Sequence, residues 1–387
     1  MIRGVALLGV LLMNIVDGFR LVPTYAPGVA AEEALSPAER LVDDILYIFV
    51  ADKAMTMFSM LFGVGLAILL ERADRQGQGV QLLLRRLLIL FAFGLVHAVF
   101  LWEGDILMPY AVAGLGALFV IRLSPRLLLA LALVLPAVYP LLLWRWPHLF
   151  PQGGPSASAH HRQALAVYAH GTYLEVVAFR VPNVFGVHAQ FVLLRGFAQI
   201  LGNFLLGIFL WRNGVLRRLE SLGTWHVGLA VGGMVIGAGY AIFRVVLQPA
   251  RPPSSMPIAL VRLGWNMTLQ LYAAGYGAAL LRALQRPRAR AWLIRTFAPV
   301  GRMAFSNYLA QSLLFTTAFY GYGAGLLGRV GIVGAVVLGI ATYVVQVAAS
   351  CLWLRRFQYG PCEWLWRALT YGWRPMVTAI RAPGRAS

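Results

Sequence analysis

Apolar stretches of about 20 residues follow one another through nearly the whole chain, each long enough to carry an α-helix across the roughly 30 Å hydrocarbon layer of a bilayer. Inside that layer every backbone polar group must be paired within the protein, which leaves a bundle of helices as the natural fold. The expectation is an all-α, polytopic integral membrane protein whose residues 1–387 form a single transmembrane domain. Composition agrees: 60% of residues are hydrophobic and only 12% charged, against about 45–50% and 25% in soluble domains. Polar punctuation divides the chain into about ten helices, at roughly 4–19, 45–70, 87–102, 107–121, 127–144, 191–211, 224–246, 258–281, 298–320 and 330–354.

Charge sets the expected orientation. The net charge is +19, and all of the 33 basic residues except Lys53 are arginine. They fall in short clusters between the apolar runs, with no basic domain to grip a duplex, so nucleic acid is not an expected partner. Most of them lie at alternate span ends, as in Arg85 and Arg86, Arg217 and Arg218, or Arg355 and Arg356. By the positive-inside rule both termini then face the cytosol. A cleaved signal peptide ending near Val29 to Ala31 is the rival reading of the start. Cys351 and Cys362 fall on the cytosolic side, where free thiols are expected. The longest polar segment, about 145–190, lies outside; it opens with a turn rich in Pro, Gly and Ser (Pro147 to Ser156) and continues as an amphipathic stretch. A second external segment, 20–44, carries Glu32, Glu33, Glu39, Asp43 and Asp44.

Charged and polar groups inside a span are costly, so they mark where function is sought. Arg3 and Asn14 stand eleven residues apart, about three turns and ~16 Å, on one face of the first helix. They read either as a path wall, with Arg3 gripping a ligand phosphate, or as an anchoring Arg and an interhelical amide. His97 is the only histidine expected within the hydrocarbon, near midplane, and Glu103 and Asp105 follow it at a hairpin turned by Gly104. A neutral imidazole backed by Asp105, Asp44 or Glu103 makes a general base; an ordinary interhelical hydrogen bond is the plainer alternative. Asp52 and Lys53 lie inside the second span and point about 100° apart, so each needs its own partner, as an ion-pair network or as a proton-coupling site. In the ninth span Asn307 and Gln311 lie one turn apart, with Arg302 toward the cytosolic rim. Beyond the tenth, Arg355 and Arg356 precede a surface helix with Pro361 and Glu363 in its first turn and Trp364, Trp366 and Arg367 at the lipid interface. The glycines at 323, 325 and 328 imitate a dinucleotide fingerprint but join two membrane helices and follow no strand. His160, His161, His170 and His188 lack ligand spacing, and no metal or tightly bound cofactor is expected.

Five separated motifs agree in order with one family: R-G-V-A-L-L-G-V-L-L-M-N at the start, F-S-M-L-F-G-V-G, H-A-V-F-L-W-E-G-D-I-L-M-P-Y-A, H-G-T-Y-L-E, and G-R-M-A-F-S-N-Y-L-A-Q-S through G-P-C-E-W-L-W-R-A-L-T-Y-G. Together they resemble the bacterial YeiB-like family, domain of unknown function 418, over nearly the whole chain, with a C-terminal motif region at about 224–375. More distantly, the Arg-ten-Asn spacing followed by Asp44 is similar to the heparan-alpha-glucosaminide N-acetyltransferase group, and a comparable Arg-ten-His spacing marks the membrane acyltransferase-3 proteins. That likeness implies transfer of an acyl group from cytosolic acyl-CoA, as co-substrate, to an external hydroxyl or amine on a small molecule or glycan. Asn14 stands where acyltransferase-3 proteins carry His, and His97 is left as the base.

The resulting expectation is a plasma-membrane acyltransferase: Arg3, Arg302 and Arg355 or Arg356 hold the donor phosphates, Asn14, Asn307 and Gln311 line its path, and His97 acts with Asp105 or Asp44. It requires a passage from the cytosol to His97. A proton-coupled transporter built on Asp52, Lys53 and His97, and a non-catalytic scaffold, are the alternatives.

Overall fold

The computed structural model describes residues 1–20, 35–146, 155–216, 225–247 and 256–372, and the regular structure among them is helical. The expectations on Val29 to Ala31, on Glu32 and Glu33 and on the turn at 147–154 lie outside the described residues. In chain order the helices are α1 (Ile2–Met13), α2 (Pro37–Phe49), α3 (Lys53–Arg75), α4 (Gly79–Val96), α5 (Leu107–Val120), α6 (Pro125–Arg145), α7 (Pro155–His170), α8 (Tyr173–Phe185), α9 (Val187–Arg212), α10 (Trp225–Leu247), α11 (Met256–Leu284), α12 (Pro287–Arg302), α13 (Ala304–Phe319), α14 (Ile332–Arg356) and α15 (Pro361–Tyr371). Wider π-type turns prolong α1 over Asn14–Gly18 and α4 over His97–Leu101.

Four stretches are long and apolar enough to cross a bilayer: Pro37–Arg75, Gly79–Leu101, Pro125–Arg145 and Ile332–Arg356. Shorter apolar helices run over Leu107–Val120, Gly196–Arg212 and Val227–Phe243. Two expected spans are broken. The second is interrupted where Asp52, in the left-handed region at φ 60°, starts α3. There the Ala51 amide bonds the Leu46 carbonyl instead of that of Tyr47, and the Lys53 ammonium donates to the Tyr47 carbonyl. The ninth divides at Met303 into α12, whose face carrying Trp292 is exposed, and a 16-residue α13.

Two large clusters dominate the core of the described residues. One gathers α1, α13 and α14 around Leu11, Phe19, Phe315, Phe319 and Tyr343. The other packs α3, α4, α5, α6 and α9 around Leu83, Ala117, Leu128, Phe204 and Ile208. Glycine sets the α3–α9 separation: a Cβ on Gly63 would stand 2.1 Å from the Phe204 carbonyl oxygen, and one on Gly207 2.0 Å from that of Met60. Without Cβ atoms the two backbones meet, the usual route to tight helix contact where lipid supplies no hydrophobic drive.

Polar residues on α11 repair a helix broken by proline. Pro136 and Pro140 lie inside α6, and each lacks the N–H that would bond the carbonyl four residues back. Those carbonyls belong to Ala132 and Pro136, and they accept from Gln270 Nε2 at 3.0 Å and Asn266 Nδ2 at 2.8 Å. Gln270→Met is expected to leave the buried Ala132 carbonyl unpaired and cost about 1–3 kcal/mol, read as a lower unfolding midpoint in detergent with no change in α-helix content.

Candidate functional site

A cavity of about 620 Å³ enters the protein where α1, α3, α4, α12 and α15 come together. Five arginines line it: Arg3, Arg72, Arg86, Arg302 and Arg367. Arg3 sits in the first turn of α1, Arg72 in the last turn of α3 and Arg302 at the end of α12, and all three are exposed, so this end is open. Deeper along α1 the wall turns apolar at Leu7 and Val10, joined by Phe58, Phe62 and Phe305. Its inner end is formed by Ile106, Leu107, Tyr110 and Tyr308.

Four of the five arginines are held in place by specific contacts. Arg3 Nη2 lies 3.5 Å from the Leu61 carbonyl and Arg302 Nη2 donates to that of Gln358 at 3.0 Å. Arg86 stacks on Trp366 at 3.7 Å, whose indole N–H donates to the Arg86 carbonyl at 3.0 Å. Arg367 lies over Tyr359 and Tyr371. The carboxylate in the wall, Glu363, is already committed: it accepts from the Phe305 and Ser306 amides and the Ser306 hydroxyl, at 2.7, 3.2 and 2.5 Å. It thereby caps α13, whose first amides have no partner within the helix. Burial pushes the Glu363 carboxyl up, and the bond from Ser306 pulls it down. The helix α15 is therefore a wall of the cavity, with Trp366 and Arg367 turned inward; the expectation of a lipid-facing anchor put those two side chains on the wrong face.

Behind the inner end of the cavity lies a relay of three side chains. His97 Nδ1 is 2.8 Å from Asp105 Oδ1, and His97 Nε2 is 2.8 Å from Ser312 Oγ. Asp105 Oδ2 accepts from the Met108 amide at 2.6 Å, which fixes the carboxylate at the start of α5. A carboxylate only accepts, so Nδ1 carries a proton; in the neutral imidazole Nε2 then presents its lone pair to Ser312, whose hydroxyl also has the Tyr308 carbonyl as an acceptor at 3.3 Å. Glycine makes this approach feasible: a Cβ on Gly94 would stand 2.4 Å from the Met108 nitrogen and 2.9 Å from Asp105 Oδ2.

The relay is covered. His97 is 1% exposed; the Tyr308 ring lies 5.1 Å from the imidazole and Trp102 meets its edge at 6.5 Å. The Tyr308 hydroxyl accepts from the Ile106 amide at 3.2 Å and donates to the Gly104 carbonyl at 3.4 Å. The expected passage to His97 thus stops one side chain short, because the phenol is tied to the turn carrying Asp105.

The structure separates the other residues singled out from sequence. Arg3 and Arg302 share the cavity, while Arg355 and Arg356 are exposed at the end of α14 and line no part of it. Asn14 lies one turn past Val10, the deepest α1 residue of the wall. Asn307 donates to Ser350 at 3.0 Å, and Gln311 to Gln346 at 2.8 Å, so these amides knit α13 to α14 away from the cavity. Asp44 is half-buried on α2 and Glu103 accepts from Asn183 at 3.5 Å; neither takes the place of Asp105 on the imidazole. Asp52 accepts from the Trp265 indole at 3.1 Å. Lys53, 1% exposed, sits 4.4 Å from the Trp265 ring and 5.2 and 5.6 Å from those of Tyr47 and Tyr272. Both charges hold the break between α2 and α3, apart from the relay. Sequence reasoning passed over Ser312, Tyr308, Arg72 and Arg86. Ser312 and Tyr308 are one turn apart in the very run that supplied Asn307 and Gln311, and a helical wheel marks both pairs equally.

Comparison with known proteins places the chain. The protein from Bacillus subtilis (strain 168) called "Uncharacterized protein YxaH" is 33% identical over 393 residues, covering 97% of this chain and 94% of that one. "Uncharacterized protein YeiB" of Escherichia coli (strain K12) is 30% identical over 381 residues, 95% of this chain and 94% of its own. The family model described as "Protein of unknown function (DUF418)" matches residues 210–373. The chain belongs to the YeiB-like DUF418 family. A third relative, the 39.9 kDa protein of the amylase 3′ region of Bacillus acidopullulyticus, is 28% identical over 96% of the chain. No solved structure matches this chain. The matched DUF418 segment begins in the last residues of α9 and ends just past α15, so it carries Tyr308, Ser312, Arg302 and Arg367 but not His97, Asp105 or Arg3.

Proposed function

We propose that this DUF418 protein is a plasma-membrane acyltransferase, taking an acyl group from cytosolic acyl-CoA and passing it to a hydroxyl or amine presented from the other side of the membrane. The observation that carries this reading is the arginine-lined cavity ending one side chain from the Asp105–His97–Ser312 relay. Its volume suits a small-molecule site. Its arginines match the phosphates of a coenzyme A, and its apolar depth matches an acyl chain. The basic residues at this end support a cytosolic orientation for it.

In this mechanism His97 Nε2 takes the proton of the acceptor's hydroxyl or amine, and Asp105 stabilises the imidazolium that forms. The acceptor's oxygen or nitrogen bonds to the thioester carbonyl carbon, the carbon–sulfur bond breaks, and the departing thiolate takes the proton back from His97. Tyr308 must swing from the 104–106 turn to admit the thioester. A covalent route is favoured by one distance, the 2.8 Å between Ser312 Oγ and His97 Nε2: Ser312 would first accept the acyl group and then hand it on.

The test uses protein reconstituted in liposomes with radiolabelled acetyl-CoA and longer acyl-CoAs, reading thiol release and label transfer to a membrane extract. Direct transfer predicts that Ser312→Ala keeps activity within about tenfold, whereas the covalent route predicts a loss of about 10³-fold or more. Wild-type protein that neither releases thiol nor transfers label from any donor would sink the proposal.

A further inference from the structure

Arg180, on α8, is fully buried and half-used. Its Nη1 donates to the Val99 carbonyl at 3.2 Å. Among the described residues its Nε and Nη2 make no hydrogen bond of good geometry, and neither do the hydroxyls of Tyr168 and Tyr320; the guanidinium and the two hydroxyls lie close enough to interact with one another. All three side chains are 0% exposed. The guanidinium carbon lies 5.6 and 5.8 Å from the two rings, which are themselves 4.6 Å apart, so these groups converge. The Nε–H and Nη2–H bonds point the same way, off one edge of the guanidinium, and that edge is the fork that grips a carboxylate or phosphate through two oxygens. A buried guanidinium edge that meets only two phenol hydroxyls, in poor hydrogen-bond geometry, is expensive, since a charged group keeps much of its desolvation cost when its bonds are badly made.

We infer that Arg180, Tyr168 and Tyr320 form a binding site for one oxyanion, a carboxylate or phosphate group, at the end of the bundle opposite the arginine cavity. The helix α13 joins the two: Phe305 in its first turn lines the cavity, and Tyr320 follows its last residue. Val99, which Arg180 holds, is two residues past His97 in the same π-type turn. A molecule bound to Arg180 by its acidic group would therefore have its remaining atoms beside the relay. Resting on the acyl-transfer reading, this identifies the acceptor class as a small alcohol or amine that also carries a carboxylate or phosphate.

Glu103 is the competitor for the site. It lies close enough to act electrostatically on Tyr168, Tyr320 and Arg180, and it is held by Asn183 at 3.5 Å. A trapped water is the other competitor, because a cluster of several buried donors suits one.

The experiment is thermal unfolding of the full chain in detergent, without acyl donor, titrated with sodium phosphate or sodium acetate against sodium chloride at matched ionic strength. Either anion is expected to raise the midpoint saturably, the stronger of the two identifying the group. Tyr320→Phe, which removes one hydroxyl and leaves the buried charge in place, should weaken that anion about tenfold. Arg180→Lys should abolish the saturable shift, and Glu103→Gln should tighten binding. Identical melting in all three salts means that water or Glu103 fills the fork and overturns the inference; so does a Glu103→Gln protein that melts lower and still ignores the anions. Because no donor is present, anion binding without any acyl transfer would leave this site standing and count only against the catalytic reading.

Discussion

Replacing His97 with asparagine is expected to lower thiol release from acyl-CoA by about two to four orders of magnitude, the usual worth of a positioned general base. Asparagine keeps a hydrogen-bonding group of similar size between Asp105 and Ser312 but has no lone pair that takes a proton at neutral pH. The unfolding midpoint should therefore move far less than the rate. Asp105→Asn should approach the same loss by another route. The amide still offers Met108 an oxygen, but it no longer fixes the His97 proton on Nδ1, so the lone pair is not held toward Ser312. Gln311→Leu is the matched control, being in the same membrane-depth seam of α13 yet bonded to Gln346 on α14. A His97→Asn protein that turns over at the wild-type rate would leave the relay a purely structural bond. A Gln311→Leu protein that loses as much as His97→Asn would show that any buried polar change in α13 disrupts turnover, and the assignment of the base would fail with it.

The helical architecture was legible because lipid allows so little else; the breaks in it were not. Residues 45–70 read as one span on hydropathy, and nothing in the run announces that Asp52 adopts a left-handed backbone with Lys53 turned back onto the Tyr47 carbonyl. The candidate site divides along a similar line. His97 stood out as a lone histidine in an apolar run, but three carboxylates were near it in sequence or topology, and only the fold of the 102–107 hairpin brings Asp105 to its ring. On α13 the run from Ser306 to Ser312 is polar on two adjacent faces about 100° apart, and neighbouring helices decide which face meets the histidine and which meets α14. Amides are the customary interhelical bridges, so Asn307 and Gln311 drew attention that belonged to Tyr308 and Ser312. The last helix misled for a related reason. Trp364, Trp366 and Arg367 have the composition of an interfacial anchor, whereas Trp366 is spent on Arg86 and Arg367 on the cavity. Composition gives a helix its chemistry, and packing decides which way that chemistry faces.

The second large effect concerns the donor. Arg3→Ala and Arg302→Ala should each raise the KM for acyl-CoA about tenfold or more with little change in kcat, and the double variant should come near the product of the two. Phosphate contacts far from the reacting carbon bind ground state and transition state alike, so their loss appears in KM. Arg86→Lys discriminates further. Lysine keeps the charge but gives up the flat stack on Trp366 that aims the guanidinium into the cavity, and a point charge on a flexible stem replaces a planar fork poorly. Arg355→Ala and Arg356→Ala, at the exposed end of α14, should leave KM unchanged. High salt ought to mimic the Arg3 and Arg302 substitutions at the open rim, because exposed charges are screened over about 8–10 Å at physiological ionic strength, while Arg86, set deeper, should respond less. A donor lacking the 3′-phosphate of coenzyme A should bind the wild type more weakly yet lose less in whichever arginine variant has already removed that phosphate's partner, and this interaction between donor and variant assigns each arginine to its phosphate. Equal KM values across Arg3→Ala, Arg302→Ala and Arg355→Ala would mean that the cavity does not receive the donor, and its positive lining would then call for a different anionic ligand.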